Sequence, residues 1–242
     1  MFYYRPASER GRADFGWLQS NHSFSFGNYF DPKHMGVSML RVINDDTVAP
    51  GAGFDTHGHH DMEIISYVLE GAIEHRDSMG NQFVVPAGEV QRMTAGTGIT
   101  HSEFNHSQSD PLKFLQIWVI PNKRGLTPGY EQKEIVQNGS LTPLVTPDGR
   151  EGSLMMHQDV SISRLVLAAD ESITIDTGEG QSRRAGYLHV INGGAKAANY
   201  SLVEGDGLGV IGEPLSVKAG DQGITALWFD LPPAQFPLRD AS

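Results

Sequence analysis

Apolar and polar residues alternate along this chain in short runs, and glycine- or proline-bearing turns separate the runs. Val37 to Ile43 reads as a strand that closes on the turn Asn44-Asp45-Asp46. From Met62 to Leu69, side chains two apart share a face. Ile65, Tyr67 and Leu69 lie on one side, and Ile64, Ser66 and Val68 on the other. Asp77-Ser78-Met79-Gly80 has turn composition. Lys113 to Ile120 carries large apolar residues on both faces and predicts a buried strand. No stretch keeps a helical period over three turns. The expectation is an all-β protein made of sandwiches or barrels.

Between residues 121 and 150 the pattern breaks. Pro121, Gly125, Pro128, Gly129, Gly139, Pro143, Pro147 and Gly149 crowd one span, which reads as a crossover between two domains. Past it the first half is weakly echoed. Tyr187 to Gly193 resembles Ile65 to Gly71, and Leu202 to Asp206 resembles the Pro86-Ala87-Gly88-Glu89 turn. Aligning Gly193 with Gly71 sets Glu179, Gln181 and Ala185 where the first half has His57, His59 and Glu63. The predicted organisation is an N-terminal barrel over 1–120, a crossover over 121–150 and a C-terminal barrel over 151–242. The proline-bearing tail, with Pro232, Pro233 and Pro237, is expected to strap across the other domain or be partly disordered.

Composition narrows the function. The formal net charge of −11 disfavours a nucleic-acid or anionic-membrane surface and suits a protein partner better. The absence of cysteine excludes disulfides, thiolate ligands, iron–sulfur clusters and a thiol nucleophile. The first ten residues lack the basic-then-apolar pattern of a signal peptide, and no apolar run is long enough to span a bilayer. The cytoplasm is the expected location.

The chemistry gathers in two places. Gly51 to Glu63 contains His57-Gly58-His59, and His101-Ser102-Glu103 follows further along. On strands, His57 and His59 point one way, as do His101 and Glu103. Two such strands facing each other across a barrel would bring three imidazoles and a carboxylate to one point. Zinc, iron(II), manganese, nickel, copper and cobalt accept that donor set; magnesium and calcium prefer oxygen. Around an octahedral ion four ligands leave two positions open, whereas around tetrahedral zinc they close the site. One H-x-H among ten histidines is within chance, so the frame carries the argument. Gly51-x5-His57-x-His59-x3-Glu63 is followed by Gly71, and Gly80-x5-Pro86-x-Gly88 comes next.

These spacings resemble the two cupin signatures. The second signature departs at Gln91, where a histidine is usual, and His101 stands in for it. That variant, with His22-Ser23-Phe24-Ser25-Phe26-Gly27-Asn28-Tyr29-Phe30-Asp31-Pro32 upstream, resembles the pirin family over most of residues 1–120. The resemblance implies a bicupin of two jelly-roll-like β-barrels, with a degenerate second barrel lacking ligands. It also implies iron(II) held by His57, His59, His101 and Glu103, and a dioxygenase acting with O2 on a flavonol such as quercetin. Glu103 would then be ligand and proton acceptor at once. Glu63 would sit behind the ligands and orient a histidine. His60 should face away, and His157 and His189 are expected to be structural. Phe24, Phe26 and Phe30 line an aromatic pocket or, more in keeping with their type, fill a core. The resemblance also allows a non-catalytic, redox-responsive regulator that binds a protein, and cupins include metal-dependent sugar isomerases.

Overall fold

A computed structural model describes residues 1–178 and 183–234. Among them the chain is almost entirely strand, with two single-turn helices at Ala7–Glu9 and Arg150–Gly152. The first strand, β1 (Phe2–Arg5), leaves at once for the second half of the molecule, where it pairs with a strand described below. The N-terminal unit is a two-sheet sandwich. Its strands are β2 (Gly11–Asp14), β3 (Leu18–His22), β4 (Leu40–Val48), β5 (Gly53–His59), β6 (Glu63–Glu70) and β7 (Ala72–Asp77), then β8 (Gln82–Pro86), β9 (Glu89–Thr94), β10 (Ile99–Asn105), β11 (Leu112–Val119) and β12 (Gly129–Glu134). One sheet runs β12-β9-β6-β11-β4-β3-β2; the other runs β5-β10-β7-β8.

The second unit takes β13 (Leu141–Thr146), β14 (Leu154–Met155), β15 (Ser161–Leu167), β16 (Ser172–Ile175), β17 (Ala185–Ala197), β18 (Tyr200–Val203), β19 (Gly207–Ile211) and β20 (Leu215–Leu231). With β1 they form a nine-stranded sheet. The long β17 and β20 pair along most of their length, with register shifts that let them bend. The sheets are jelly-roll-like but do not close into barrels.

The face assignment for β6 holds. Ile65 and Tyr67 enter a core cluster shared with Ile162, Tyr187 and Phe229 of the second unit, and Leu69 packs against it. Ile64 and Val68 point into the first unit. β11 is likewise buried on both sides, with Leu115 and Ile117 in the shared cluster and Phe114 facing inward. The two units therefore share one apolar layer.

Three expectations change. Asn44, Asp45 and Asp46 are not a turn; they lie inside β4, and Asn44 and Asp46 are buried. The stretch 121–150, read as a crossover between domains, contributes β12 to the first unit and β13 to the second. The three phenylalanines part company: Phe24 is core, Phe26 stacks edge-on against Trp118 at 5.3 Å, and Phe30 is exposed.

The echo between halves has a backbone counterpart. Gly71 and Gly193 have φ of 78° and 76°, and Gly88 and Gly205 have 90° and 81°. Each pair adopts a left-handed turn that disfavours a side chain. Ala185 is buried in β17, whereas Glu179 and Gln181 lie outside the described residues. In the tail, Pro232 accepts a hydrogen bond from Ser38 Oγ at 2.8 Å, tying it to the first unit. Pro237 lies outside the described residues.

His189 sits wholly buried in β17, and burial, with Arg10 adding, pulls it down to about 3. The folded state thus refuses a proton that the unfolded chain accepts below its ordinary value of 6.5. This contribution is fully present above pH 6.5 and is lost as the pH falls toward 3. Denaturant unfolding between pH 6.5 and 4 should lose up to about 1.4 kcal/mol per pH unit to this group. His189→Gln should flatten that slope; an unchanged slope would refute the assignment.

Candidate metal centre

Strands β5 and β10 are antiparallel neighbours in the four-stranded sheet, not strands facing across a barrel. His57 is directly opposite His101, and His59 is opposite Ile99. Alternation then sets all three rings on the inner face of one sheet. Beyond His101 the pairing with β5 shifts, so that Glu103 opposes Phe54, while the regular pairing with β7 sets Glu103 opposite His75. A bulge of this kind re-aims side chains at a site.

The three rings converge through Nε2. His101 Nε2 lies 3.1 Å from His59 Nε2 and 3.1 Å from His57 Nε2. His57 Nδ1 donates to the Asp55 carbonyl at 2.7 Å, which leaves its Nε2 lone pair aimed at the other rings. Burial, with His101 and His57 adding, lowers His59 to about 4; burial also lowers His101. Three imidazole nitrogens brought this close form a candidate cation site.

Glu103 belongs to a second triad. Its carboxylate clusters with His75 and His101, so His101 joins the two groups. The carboxylate is buried and held at both oxygens. Ser66 Oγ and Gln91 Nε2 each donate to Oε1 at 3.1 Å, and Gln116 Nε2 donates to Oε2 at 2.9 Å. Burial alone would raise this carboxyl. His101 and His75, with the Gln91 and Ser66 bonds, outweigh it and hold the group below its ordinary value. The Tyr130 hydroxyl of β12 lies 3.0 Å from Gln91 Oε1, which turns the Gln91 amide nitrogen toward Glu103. His75 Nε2 bonds Asp77 at 3.0 Å, and its ring lies tilted against Tyr130 with centroids 4.6 Å apart.

The remaining predicted residues lie elsewhere. Glu63 hydrogen-bonds with Thr94 at 3.0 Å and His157 at 3.2 Å, so the histidine it orients is His157 and not one of the three converging rings. His60 is exposed, as expected for the opposite face. Ser66, His75, Gln116 and Tyr130 were not foreseen. Gln91 was marked only as a departure from the signature, and that departure was the available signal: the position still reaches the site, but through Glu103.

In front of the histidines opens a cavity of about 1120 Å³ between the two sheets of the first unit. Phe15, Trp17, Phe26, Tyr29, Phe54 and Trp118 give it aromatic walls. Both clusters of potential metal ligands among the described residues belong to this unit.

Residues 4–119 match the Pirin family model, and residues 143–231 match that of the quercetinase C-terminal cupin domain. The quercetin 2,3-dioxygenase of Escherichia coli K12 is 47% identical over 96% of this chain and 100% of its own length. The crystal structure of YhhW from Escherichia coli superposes with a TM-score of 0.93 at 46% identity, covering 97% of this chain and 99% of that one. YhhW in complex with nickel(II) superposes with a TM-score of 0.91 at 47% identity, covering 97% and 100%. A quercetin 2,3-dioxygenase from Acinetobacter baumannii, 18% identical, has the same fold with a TM-score of 0.75, over 98% of this chain and 81% of that one.

Calorimetric titration with nickel(II) separates the residues. His101→Ala should weaken binding by more than the 10- to 100-fold that losing a supporting partner typically costs. Glu63→Gln, whose bonds lead to His157, should stay within about threefold of the wild type. A large loss in Glu63→Gln would return Glu63 to the ion's surroundings.

Proposed function

This chain belongs to the pirin family, and from that membership we propose that it is a metal-dependent dioxygenase that opens the heterocycle of a flavonol such as quercetin with O2. The observation that carries this reading is the convergence of three imidazole nitrogens at the wall of an aromatic-lined cavity. The relatives named quercetin 2,3-dioxygenase support it. An aromatic lining also favours a flat ring system over a sugar, which would call for more basic and polar walls.

His57, His59 and His101 hold the ion in this reading, with Glu103 as the carboxylate ligand. Iron(II) is the proposed metal. The same donors take zinc, manganese, nickel, copper or cobalt, and the relative crystallised with nickel(II) supports a divalent transition metal. The ion supplies Lewis acidity and a place for electron exchange between substrate and O2.

The chain's own side chains do the rest. Trp118 and Phe54, beside His59 and His57, exclude water and press the substrate rings toward the histidines. Ser66, Gln91 and Gln116 keep Glu103 ionised and in place. A carboxylate held by three donors and lowered from its ordinary value is a good ligand and a weak base. The ligand role therefore fits Glu103 better than that of proton acceptor. In the proposed reaction both atoms of O2 enter the opened product, and one ring carbon leaves as carbon monoxide. The second unit is proposed to be a cupin without a metal of its own, supporting the first through the shared core.

The test is turnover by metal-loaded protein, followed as quercetin loss, O2 uptake and carbon monoxide release. The wild type should show all three in equal amounts. Glu103→Gln faces the Gln91 and Gln116 amides with a neutral amide and should lower turnover by at least about 100-fold. A wild type that holds the metal yet consumes no O2 would favour the non-catalytic, protein-binding regulator.

A further inference from the structure

The cavity has a second polar surface, on the sheet opposite the histidines. Ser20 and His22 on β3, Asn44 and Asp46 on β4, and Gln116 on β11 all line it. Adjacent register sets them side by side: Ser20 opposes Asp46, His22 opposes Asn44, and Asn44 opposes Gln116. Gln116 reaches across to Glu103, so the two polar surfaces lie within side-chain reach of one another.

This surface is only partly satisfied. Ser20 Oγ donates to Asp46 Oδ1. Asn44 Oδ1 and His22 Nδ1 are buried and have no hydrogen-bond partner among the described residues, although Asn44 is 2% and His22 5% exposed. Leaving buried polar atoms unpaired costs free energy, and both atoms belong to residues of the cavity wall. The unpaired amide oxygen, the carboxylate and a neutral imidazole nitrogen are suited to receive O–H groups. Phe26 and Tyr29 pack against His22 and leave the shelf bordered by aromatic faces. A flat apolar frame carrying hydroxyl donors meets both requirements.

We propose that Asn44, Asp46 and His22 form a hydroxyl-reading shelf that selects and orients a polyhydroxylated aromatic substrate opposite the histidine wall. The inference rests on the flavonol reading and deepens it by assigning substrate selection to residues outside the metal centre. Burial pushes the Asp46 carboxyl up to about 7; Ser20 draws it down, while Asp45 beside it and Glu103 across the cavity add to the rise. Burial, with Arg10 adding, keeps His22 below its ordinary value. Near neutral pH the Asp46 carboxyl therefore exchanges between its charged and neutral forms and can share a proton with a phenol. A site whose buried acceptors need the substrate's hydroxyls rejects the analogue that lacks them.

The experiment compares two probes with nickel-loaded protein under anaerobic conditions: quercetin, rich in hydroxyls, and 3-hydroxyflavone, which keeps the single hydroxyl on the heterocycle. Binding is read by absorbance, so turnover is not required. The wild type should prefer quercetin, and Asp46→Asn and Asn44→Ala should each shrink the ratio of the two Kd values by about tenfold or more. The ratio cancels any general loss of fold, and the melting temperature and nickel content of each variant check that loss directly. Equal affinities in the wild type, or a ratio unmoved by either variant, would overturn the shelf and leave the dioxygenase reading standing. A wild type that binds neither probe would overturn the flavonol reading and the shelf with it.

Discussion

Between His57, His59 and His101, imidazole nitrogens crowd one small volume with their lone pairs turned inward. Two neutral imidazoles can share one N–H, and three ring nitrogens at this spacing also form a candidate site for a cation. The strand pairings of the first unit set this convergence up. Antiparallel pairing of β5 and β10 brings His57 opposite His101, and the regular pairing of β10 with β7 sets Glu103 opposite His75. The facing sheet then supplies the donors that keep Glu103 charged.

The histidines that converge were legible in the sequence because two signals agreed. Strand parity paired His57 with His59 and His101 with Glu103, and the glycine spacings set the frame. The way the strands meet was not legible. Parity says which residues share a face, but not whether two strands are neighbours or lie across a cavity, because pairing register belongs to no single strand. His75 went unnoticed because one histidine two residues before an aspartate on a short strand carries no distinctive pattern. Tyr130 was hidden by its surroundings: Pro128 and Gly129 read as loop, yet the chain straightens at Gly129 to pair with β9.

Asn44 and Asp46 were misread for a more instructive reason. Asn-Asp-Asp has the composition of a turn, and in isolation it would form one. Here it occupies the middle of a nine-residue strand between β3 and β11. Tertiary pairing overrides local preference when both neighbours are in place. Polar residues that contradict their element tend to mark places where function rather than folding chose them. Both side chains line the cavity.

Glu63 shows how an inherited position takes new work. The general cupin pattern would make it a ligand. Here Glu63 turns away from the converging histidines, toward Thr94 and His157. Its carboxyl is raised by burial, and Thr94, Arg92 and His157 offset part of that cost. His157 comes from the stretch between β14 and β15, so this bond joins the ligand-bearing unit to the second one. The shared apolar layer makes the same connection over a wider area, with Ile65 and Tyr67 of β6 against Ile162 and Phe229. The inward face of that same strand carries Ser66, which holds Glu103. The second unit, whose own alignment offers no ligand set, thus packs on the outer face of β6, the strand whose inner face carries the serine that holds Glu103.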